Sequence, residues 1–308
     1  MAHKIDHFDI IGDIHGHADH LHRLLKKMDY WEMDGCYYRP DRKVLFLGDF
    51  IDRGPDQMEV LRIVRAMCDS GSAHAIMGNH EFNAIGWVTK NSNGDYLRSH
   101  NDVHRDQHQA FLDQVGEDSY YHRDAINWFR SLPAFMDLGS IRIVHACWHD
   151  QSIGVMKSNC LDQNHCFTEQ GFIAAHDKGS DLYDAVEVVL KGPEQKLPDG
   201  ITFHDKSGHL REHARVKWWD GQQALPLRDA VLGMEGREGD LPDHVIEMEH
   251  VYADRAPVFF GHYWLKGEPH ITASNAQCLD FSVAKGGYLT AYRWSGEAEL
   301  TRDNLVWT

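Results

Sequence analysis

Apolar residues along the chain gather in short runs that stop abruptly at polar loops. Phe8, Ile10 and Ile11 lead into Gly12-Asp13-Ile14-His15-Gly16, and Val44-Leu45-Phe46-Leu47 leads into Gly48-Asp49-Phe50-Ile51-Asp52-Arg53-Gly54-Pro55. Ala73-His74-Ala75-Ile76-Met77 ends in Gly78-Asn79-His80-Glu81, Ile141-Arg142-Ile143-Val144 in His145-Ala146-Cys147-Trp148-His149-Asp150, and Pro257-Val258-Phe259-Phe260 in Gly261-His262-Tyr263-Trp264. Runs of this length suit buried strands and are too short for helices. Between the first three lie helical patterns, with Leu21, Leu24, Leu25 and Met28 on one face and Val60, Leu61, Ile63, Val64 and Met67 on another. Asp56 followed by Glu59 reads as the start of the second helix. Strand, helix, strand, helix, strand predicts a parallel sheet.

Residues 82–131 read as largely helical and polar, with a break at Asn91-Ser92-Asn93-Gly94. Ile126, Trp128, Phe129 and Leu132 turn the last of these helices toward the sheet. Gly139-Ser140 predicts a hairpin between the runs 134–138 and 141–144. Residues 150–250 show a helix over 181–191 and then loop signals at Gly192-Pro193, Pro198-Asp199-Gly200 and 236–242. That stretch is expected to be an elaboration beside the sheet. The expectation is one domain over 1–308, with its core at about 7–149 and 256–294. Near the end, strands over 277–281 and 288–294 are expected to join across Gly286-Gly287.

Hydrophobic content of 42% and charged content of 25% suit a globular chain. The formal charge of −16 argues against a nucleic-acid backbone as partner and would repel anionic substrates. A phosphate site in this chain must therefore build its own positive charge, and metal ions would supply it. No run of about 18 apolar residues is present, so no membrane helix is expected. The first residues, Met1-Ala2-His3-Lys4-Ile5-Asp6, lack an apolar signal core. The 6 cysteines form no Cys-x-x-Cys pair and read as reduced thiols, so a cytoplasmic location is expected. Cys160, His165 and Cys166 match no common zinc spacing and read as a loop. With 23 histidines in the chain, only position can mark one as a ligand.

Position does so at the strand ends. Asp13, His15, Asp49, Asn79, His145 and His262 are all oxygen or imidazole ligands for divalent metals, with no thiolate among them. They are too many for one tetrahedral zinc site and about right for two metals sharing a ligand. Asp49 is the natural bridge, because a carboxylate binds one metal through each oxygen, or both through one.

Gly12-Asp13-x-His15-Gly16, Gly48-Asp49-x-x-Asp52-Arg53-Gly54 and Gly78-Asn79-His80-Glu81 resemble the signature blocks of the calcineurin-like metallophosphoesterases. More narrowly they resemble bacterial members of the phosphoprotein (serine/threonine) phosphatase family. His145 and His262 match the family's later histidines. The Cys278-Leu279-Asp280 and Gly286-Gly287 stretch is similar to bacterial tails, including those of dinucleoside tetraphosphatases. The resemblance implies an α/β fold of central sheets forming a β-sandwich, flanked by helices and carrying an inserted region. It implies a first metal on Asp13, His15 and Asp49, and a second on Asp49, Asn79, His145 and His262. A hydroxide bridging the metals would attack phosphorus in line. Arg53 would grip phosphate oxygens with its planar fork. His80 would protonate the leaving oxygen, with Asp52 fixing its tautomer.

The chain also departs from the family. Trp264 stands where some relatives carry another metal-binding histidine, and Ala146-Cys147 replaces the Gly-Gly of the eukaryotic enzymes. Those enzymes use a second phosphate-binding arginine from the region between the two late histidines, and Arg211 and Arg215 are the candidates for it here, Arg215 taken first. Trp148, Tyr263 and Trp264 read either as walls of the cleft or as aromatic core packing, and Glu81 as an ordinary first-turn helix acid. The leading expectation is hydrolysis of phosphate monoesters, above all phosphoserine or phosphothreonine in proteins. Asp52 favours it, because the tetraphosphatase relatives typically have Ala there. The alternatives are hydrolysis of dinucleoside polyphosphates or phosphodiesters, and an inactive metal-binding interaction module. Manganese suits the ligand set, with iron and zinc also admissible. Phosphorylated proteins or small phosphoesters are the expected partners, with no nucleic acid and no membrane.

Overall fold

The computed structural model describes residues 7–204, 210–234 and 238–308. The amino-terminal residues 1–6, read above for a signal core, lie outside it, as do 236–237 of the loop 236–242. β1 (Phe8–Ile11), α1 (Ala18–Lys27), β2 (Lys43–Phe46), α2 (Gln57–Asp69) and β3 (Ala73–Ala75) follow the predicted alternation. β2 lies parallel to both β1 and β3, with Phe8 opposite Lys43 and Val44 opposite Ala73. The Asp56 carboxylate accepts the backbone N–H of Glu59 at 3.2 Å and caps α2 as expected. α3 (Asn79–Val88), α4 (Asp102–Val115) and α5 (Tyr120–Phe129) fill the polar helical stretch. A hairpin of Trp31–Met33 with Cys36–Tyr38, not foreseen from the sequence, separates α1 from β2.

β4 (Phe135–Asp137) and β5 (Arg142–Val144) form the predicted hairpin and open a second sheet. β6 (Val258–Phe260) joins β5 in parallel, and β7 (Ala276–Cys278) joins β6. The first sheet is completed by β8 (Asp280–Phe281), β9 (Tyr288–Trp294) and β10 (Leu305–Trp307), with β9 antiparallel to β1. Ile10, Leu45, Ile143, Phe259 and Tyr292 make one apolar cluster between the sheets. Their neighbours Ile11, Val44, Phe46, Val144, Val258 and Phe260 belong to another, shared with the helices. Both faces of these strands are buried, which is why they read as continuous apolar runs.

Between the two halves of the second sheet lie α6 (Asp150–Asn159), α7 (Glu169–Ala174) and α8 (Asp181–Lys191). The described residues among 194–248 then form short strand pairs around an apolar cluster of their own, including Leu197, Val216, Leu225, Leu227 and Ile246. Trp218 and Trp219 fasten this part to the sheet, their rings 4.7 and 4.9 Å from Phe260. Cys160 and Cys166 are free thiols on the two sides of a tight turn closed by Asp162, whose carboxylate accepts the N–H of Asn164 and Cys166. Among the described residues, no helix is long and apolar enough to cross a membrane.

His176 stacks on Phe82 at 4.6 Å, and burial pushes its imidazole down to about 4 from an ordinary 6.5. The unfolded chain therefore takes up a proton that the folded one refuses between those values. Stability is expected to fall as pH drops from 6.5 toward 4. A His176→Phe variant should show a flatter melting temperature across that window, and an unchanged slope would refute the assignment.

Candidate metal centre

Each predicted ligand sits on a loop at the carboxyl end of a strand, so the folding of the sheets gathers residues that are far apart in sequence. Asp13 and His15 follow β1, Asp49 follows β2, and Asn79 opens α3 after β3; His145 follows β5 and His262 follows β6. The Asp49 Oδ2 lies 3.6 Å from His15 Nε2 and 3.4 Å from His145 Nε2. The Asn79 Oδ1 lies 3.0 Å from His145 Nε2 and 2.8 Å from His262 Nδ1. His15, Asp49 and His80 form one group able to hold a cation, and Asp49, His145 and His262 a second. Asp49 is common to both, and the first group contains His80 where the resemblance implied Asp13.

The backbone is bent to reach this arrangement. His15, Asp49, Asp52, Arg53, His262 and Trp264 all have positive φ without being glycine. Such conformations cost about 1–3 kcal/mol each and persist only where surrounding contacts enforce them. Glycines allow the closest approaches. A Cβ on Gly78 would lie 2.2 Å from Asp49 Oδ1, and one on Gly261 would lie 1.9 Å from Asp13 Oδ1.

Hydrogen bonds to the backbone set the ring orientations. The Nδ1 of His15 bonds the carbonyl of Ile51 at 2.9 Å, and that of His145 bonds the carbonyl of Leu47 at 2.8 Å. Each leaves Nε2 facing the cluster, the usual arrangement behind a metal-binding imidazole. Asp13 Oδ1, His15 Nε2 and His262 Nε2 are buried without a hydrogen-bond partner among the described residues. Orphaned buried acceptors of this kind are costly unless something binds them. Burial and the neighbouring His80 push His15 down to about 3, and burial with Arg215 holds His262 well below its ordinary range. Both rings are thus neutral near pH 7, the form that donates to a metal. Burial works against an ionised Asp49, but His145 and His80 outweigh it and hold the carboxyl well below the usual range. The donor set fits divalent cations.

Glu81 is not an ordinary first-turn acid, as the sequence reading held. It is fully buried, its Oε2 accepting the N–H of Asp49 at 2.8 Å and of Gly78 at 2.9 Å, and its Oε1 that of Phe50 at 2.8 Å. It therefore ties the Asp49 loop to the Asn79 loop. Its place three residues after Gly78 was visible, but the donors from the distant loop were not. Glu81→Ala strands those buried N–H groups and is expected to destabilise the fold by about 2–4 kcal/mol. Urea unfolding checks this, and a loss below 0.5 kcal/mol, on the order of an ordinary surface change, would refute it.

The remaining predicted residues lie around this cradle. His80 Nε2 is 4.0 Å from Asp49 Oδ2, and its Nδ1 is 2.5 Å from Asp52 Oδ2. The other Asp52 oxygen is 2.8 Å from Nδ1 of His108, a buried residue of α4 that the sequence reading did not single out. The Arg53 guanidinium lies 4.1 Å from the centre of the Trp264 ring, and that ring stacks on His15 at 5.5 Å. The backbone N–H of Trp264 in turn donates to Asp280 Oδ2 at 2.7 Å. This chain thus has an indole that packs on one predicted ligand, His15, and lies beside Arg53, the arginine predicted to grip phosphate. Arg215 lies near enough to lower the His262 imidazole, and its buried Nε has no partner among the described residues. With Arg211, Phe203, Met234, Tyr263 and Trp264 it lines a cavity of about 700 Å³. Trp148 does not line that cavity; it is buried against Phe135, with Arg142 over its ring.

The sequence model of the calcineurin-like phosphoesterases matches residues 7–219. The chain belongs to that family. Membership implies divalent metal ions, for which the cluster around Asp49 is the candidate site. The asymmetrical bis(5'-nucleosyl)-tetraphosphatase of Halalkalibacterium halodurans is 46% identical over 74 residues, or 24% of this chain and 30% of that protein. The chain is thus matched to under a third of the length of such relatives. The symmetrical bis(5'-nucleosyl)-tetraphosphatase of Pectobacterium atrosepticum is 24% identical over 301 residues, covering 96% of this chain and 94% of that one. Among solved structures, a cold-active protein-tyrosine phosphatase of a Shewanella species superposes with a TM-score of 0.52 at 17% identity, over 94% of this chain and 76% of that one. That likeness shows the fold, a calcineurin-like sandwich of two sheets.

Proposed function

We propose that this phosphoesterase hydrolyses dinucleoside polyphosphates with two divalent cations. The observation that carries the reading is the near full-length similarity to a symmetrical bis(5'-nucleosyl)-tetraphosphatase. It favours the second of the substrate readings drawn from the sequence over the first. The cavity of about 700 Å³ beside the centre, with arginines and aromatic rings in its wall, suits a ligand larger than a single phosphate.

Asp13, His15 and Asp49 would hold one cation, and Asp49, Asn79, His145 and His262 the other. Manganese is the first assignment, and iron and zinc share the ligand chemistry. Two cations there supply Lewis acidity that offsets phosphate charge and activates water. Arg53, steadied on Trp264, grips the reacting phosphoryl oxygens, and Arg215 receives a more distal phosphate. Asp52 holds the Nδ1–H of His80 so that Nε2 can give a proton to the leaving oxygen as its bond to phosphorus breaks.

That dyad also supports the monoester reading. A nucleoside diphosphate leaves readily as an anion, whereas the alkoxide of serine or threonine needs a proton. Diadenosine tetraphosphate and a phosphoserine peptide should therefore be compared on manganese-loaded protein. The proposal expects kcat/KM for the tetraphosphate to be at least about tenfold higher, a preference of about 1.4 kcal/mol. The opposite order would return the monoester reading to first place. Two bound metals without turnover of either substrate would favour an inactive module.

A further inference from the structure

Asp52 is held from two sides. Its Oδ2 faces Nδ1 of His80 at 2.5 Å and its Oδ1 faces Nδ1 of His108 at 2.8 Å. All three side chains are buried. His108 reaches this point from α4, on the stripe that also carries the buried Phe111, Leu112 and Val115. Its ring lies 5.1 Å from Phe111 and 5.7 Å from Trp87, which fix its plane. Packing alone does not account for an imidazole here. Its Nε2 is buried with no partner among the described residues, a penalty that a leucine on the same stripe would not incur.

We infer that His108 is a positioning residue for proton delivery: by donating Nδ1–H to one Asp52 oxygen, it commits the other to the Nδ1–H of His80. With Asp52 clamped, His80 cannot turn over or shift tautomer, and Nε2 stays directed at the cation cradle. The inference rests on the proposed acid role of His80.

The test is a series of aryl phosphates whose phenols span a range of acidity, hydrolysed by manganese-loaded protein. A proton donor matters little for an acidic phenol and greatly for a weakly acidic one. His108→Leu is expected to leave the best leaving group almost untouched and to slow the poorest by about 10–100-fold, the usual effect of an outer-shell partner. The loss should fall on kcat with KM unchanged. His108→Asn, which keeps an N–H near the Nδ1 position, should recover much of the rate, whereas His108→Gln, which displaces it, should not. Combined with His80→Asn, His108→Leu should add no further leaving-group dependence.

A loss that is equal for every phenol would make His108 a purely structural residue and overturn the inference, leaving the acid role of His80 intact. A His80→Asn variant without leaving-group dependence would overturn both. If His108→Leu does not fold, equal kinetics of the Asn and Gln variants would overturn the inference just as well. Absence of turnover of every ester by the unaltered protein would remove the inference together with the proposed function.

Discussion

Asp49→Asn is expected to lower kcat/KM for the best phosphoester substrate by about a thousandfold, on the scale of removing one electrostatic partner of the transition state or more. The side chain is central to the cluster, with Oδ2 within 3.6 Å of His15 Nε2 and 3.4 Å of His145 Nε2 and with Oδ1 accepting the backbone N–H of His80 at 2.9 Å. Asparagine keeps the shape, removes the charge shared by the two cation groups and can turn an NH₂ toward the imidazoles. The defect should appear in metal content as well as in rate. Added manganese should raise the melting temperature of the parent protein and raise that of the variant much less, because binding stabilises only through affinity for the folded state. Rate assays paired with thermal melts check both. A variant retaining more than about a tenth of the parental rate, a loss under roughly 1.4 kcal/mol, would show that Asp49 is not the shared ligand.

Asp9→Ala is expected to destabilise the fold by about 3–5 kcal/mol, the range for stranding a buried charge. Asp9 is fully buried at the outer end of β1, far from the strand ends that carry the ligands. Its Oδ1 accepts from Arg42 Nε at 2.9 Å and Arg293 Nε at 3.2 Å, and its Oδ2 accepts the Tyr30 hydroxyl at 3.0 Å. Arg42 also donates to the carbonyls of Phe8 and Trp294, so the pair ties β1 and β9 together at that edge. Removing the carboxylate leaves an almost fully buried guanidinium without its counter-charge. Urea unfolding should record the loss, with kcat unchanged at a temperature where the variant is folded. A loss under about 1 kcal/mol would mean that the carbonyls alone satisfy Arg42.

The strand-end loops were legible because the chain marks each with a buried apolar run followed by a polar ligand, and no long-range information is needed to see it. Helix 181–191 was legible in the sequence, and the structure adds its cap, Ser180, which accepts the N–H of Tyr183 at 3.1 Å. α6 was not, because only Ser152, Ile153 and Met156 are buried along it and Gly154 interrupts it. Residues 194–248 pair at long range in strands such as Glu194–Lys196 with His213–Arg215, too short to show an alternation. Glu81 and His108 stayed hidden for a related reason. Each has a local reading, as a helix-start acid or a polar interruption in an apolar stripe, while its partners lie on the Asp49–Asp52 loop. The sequence shows which residues stand at loops; it does not show which buried donor meets which acceptor.

The separate apolar cluster of residues 194–248 implies a division of labour between two walls of one cleft. The cation cradle is built from loops of the sandwich, whereas Arg211, Arg215, Phe203 and Met234 come from the inserted part. The two meet through the Trp218 indole N–H, which donates to the Tyr263 hydroxyl at 2.8 Å beside His262, and through the tryptophan pair on Phe260. On the proposed function, substrate choice can drift by remodelling of one modular patch while the proposed hydrolytic loops on the sheets stay unchanged.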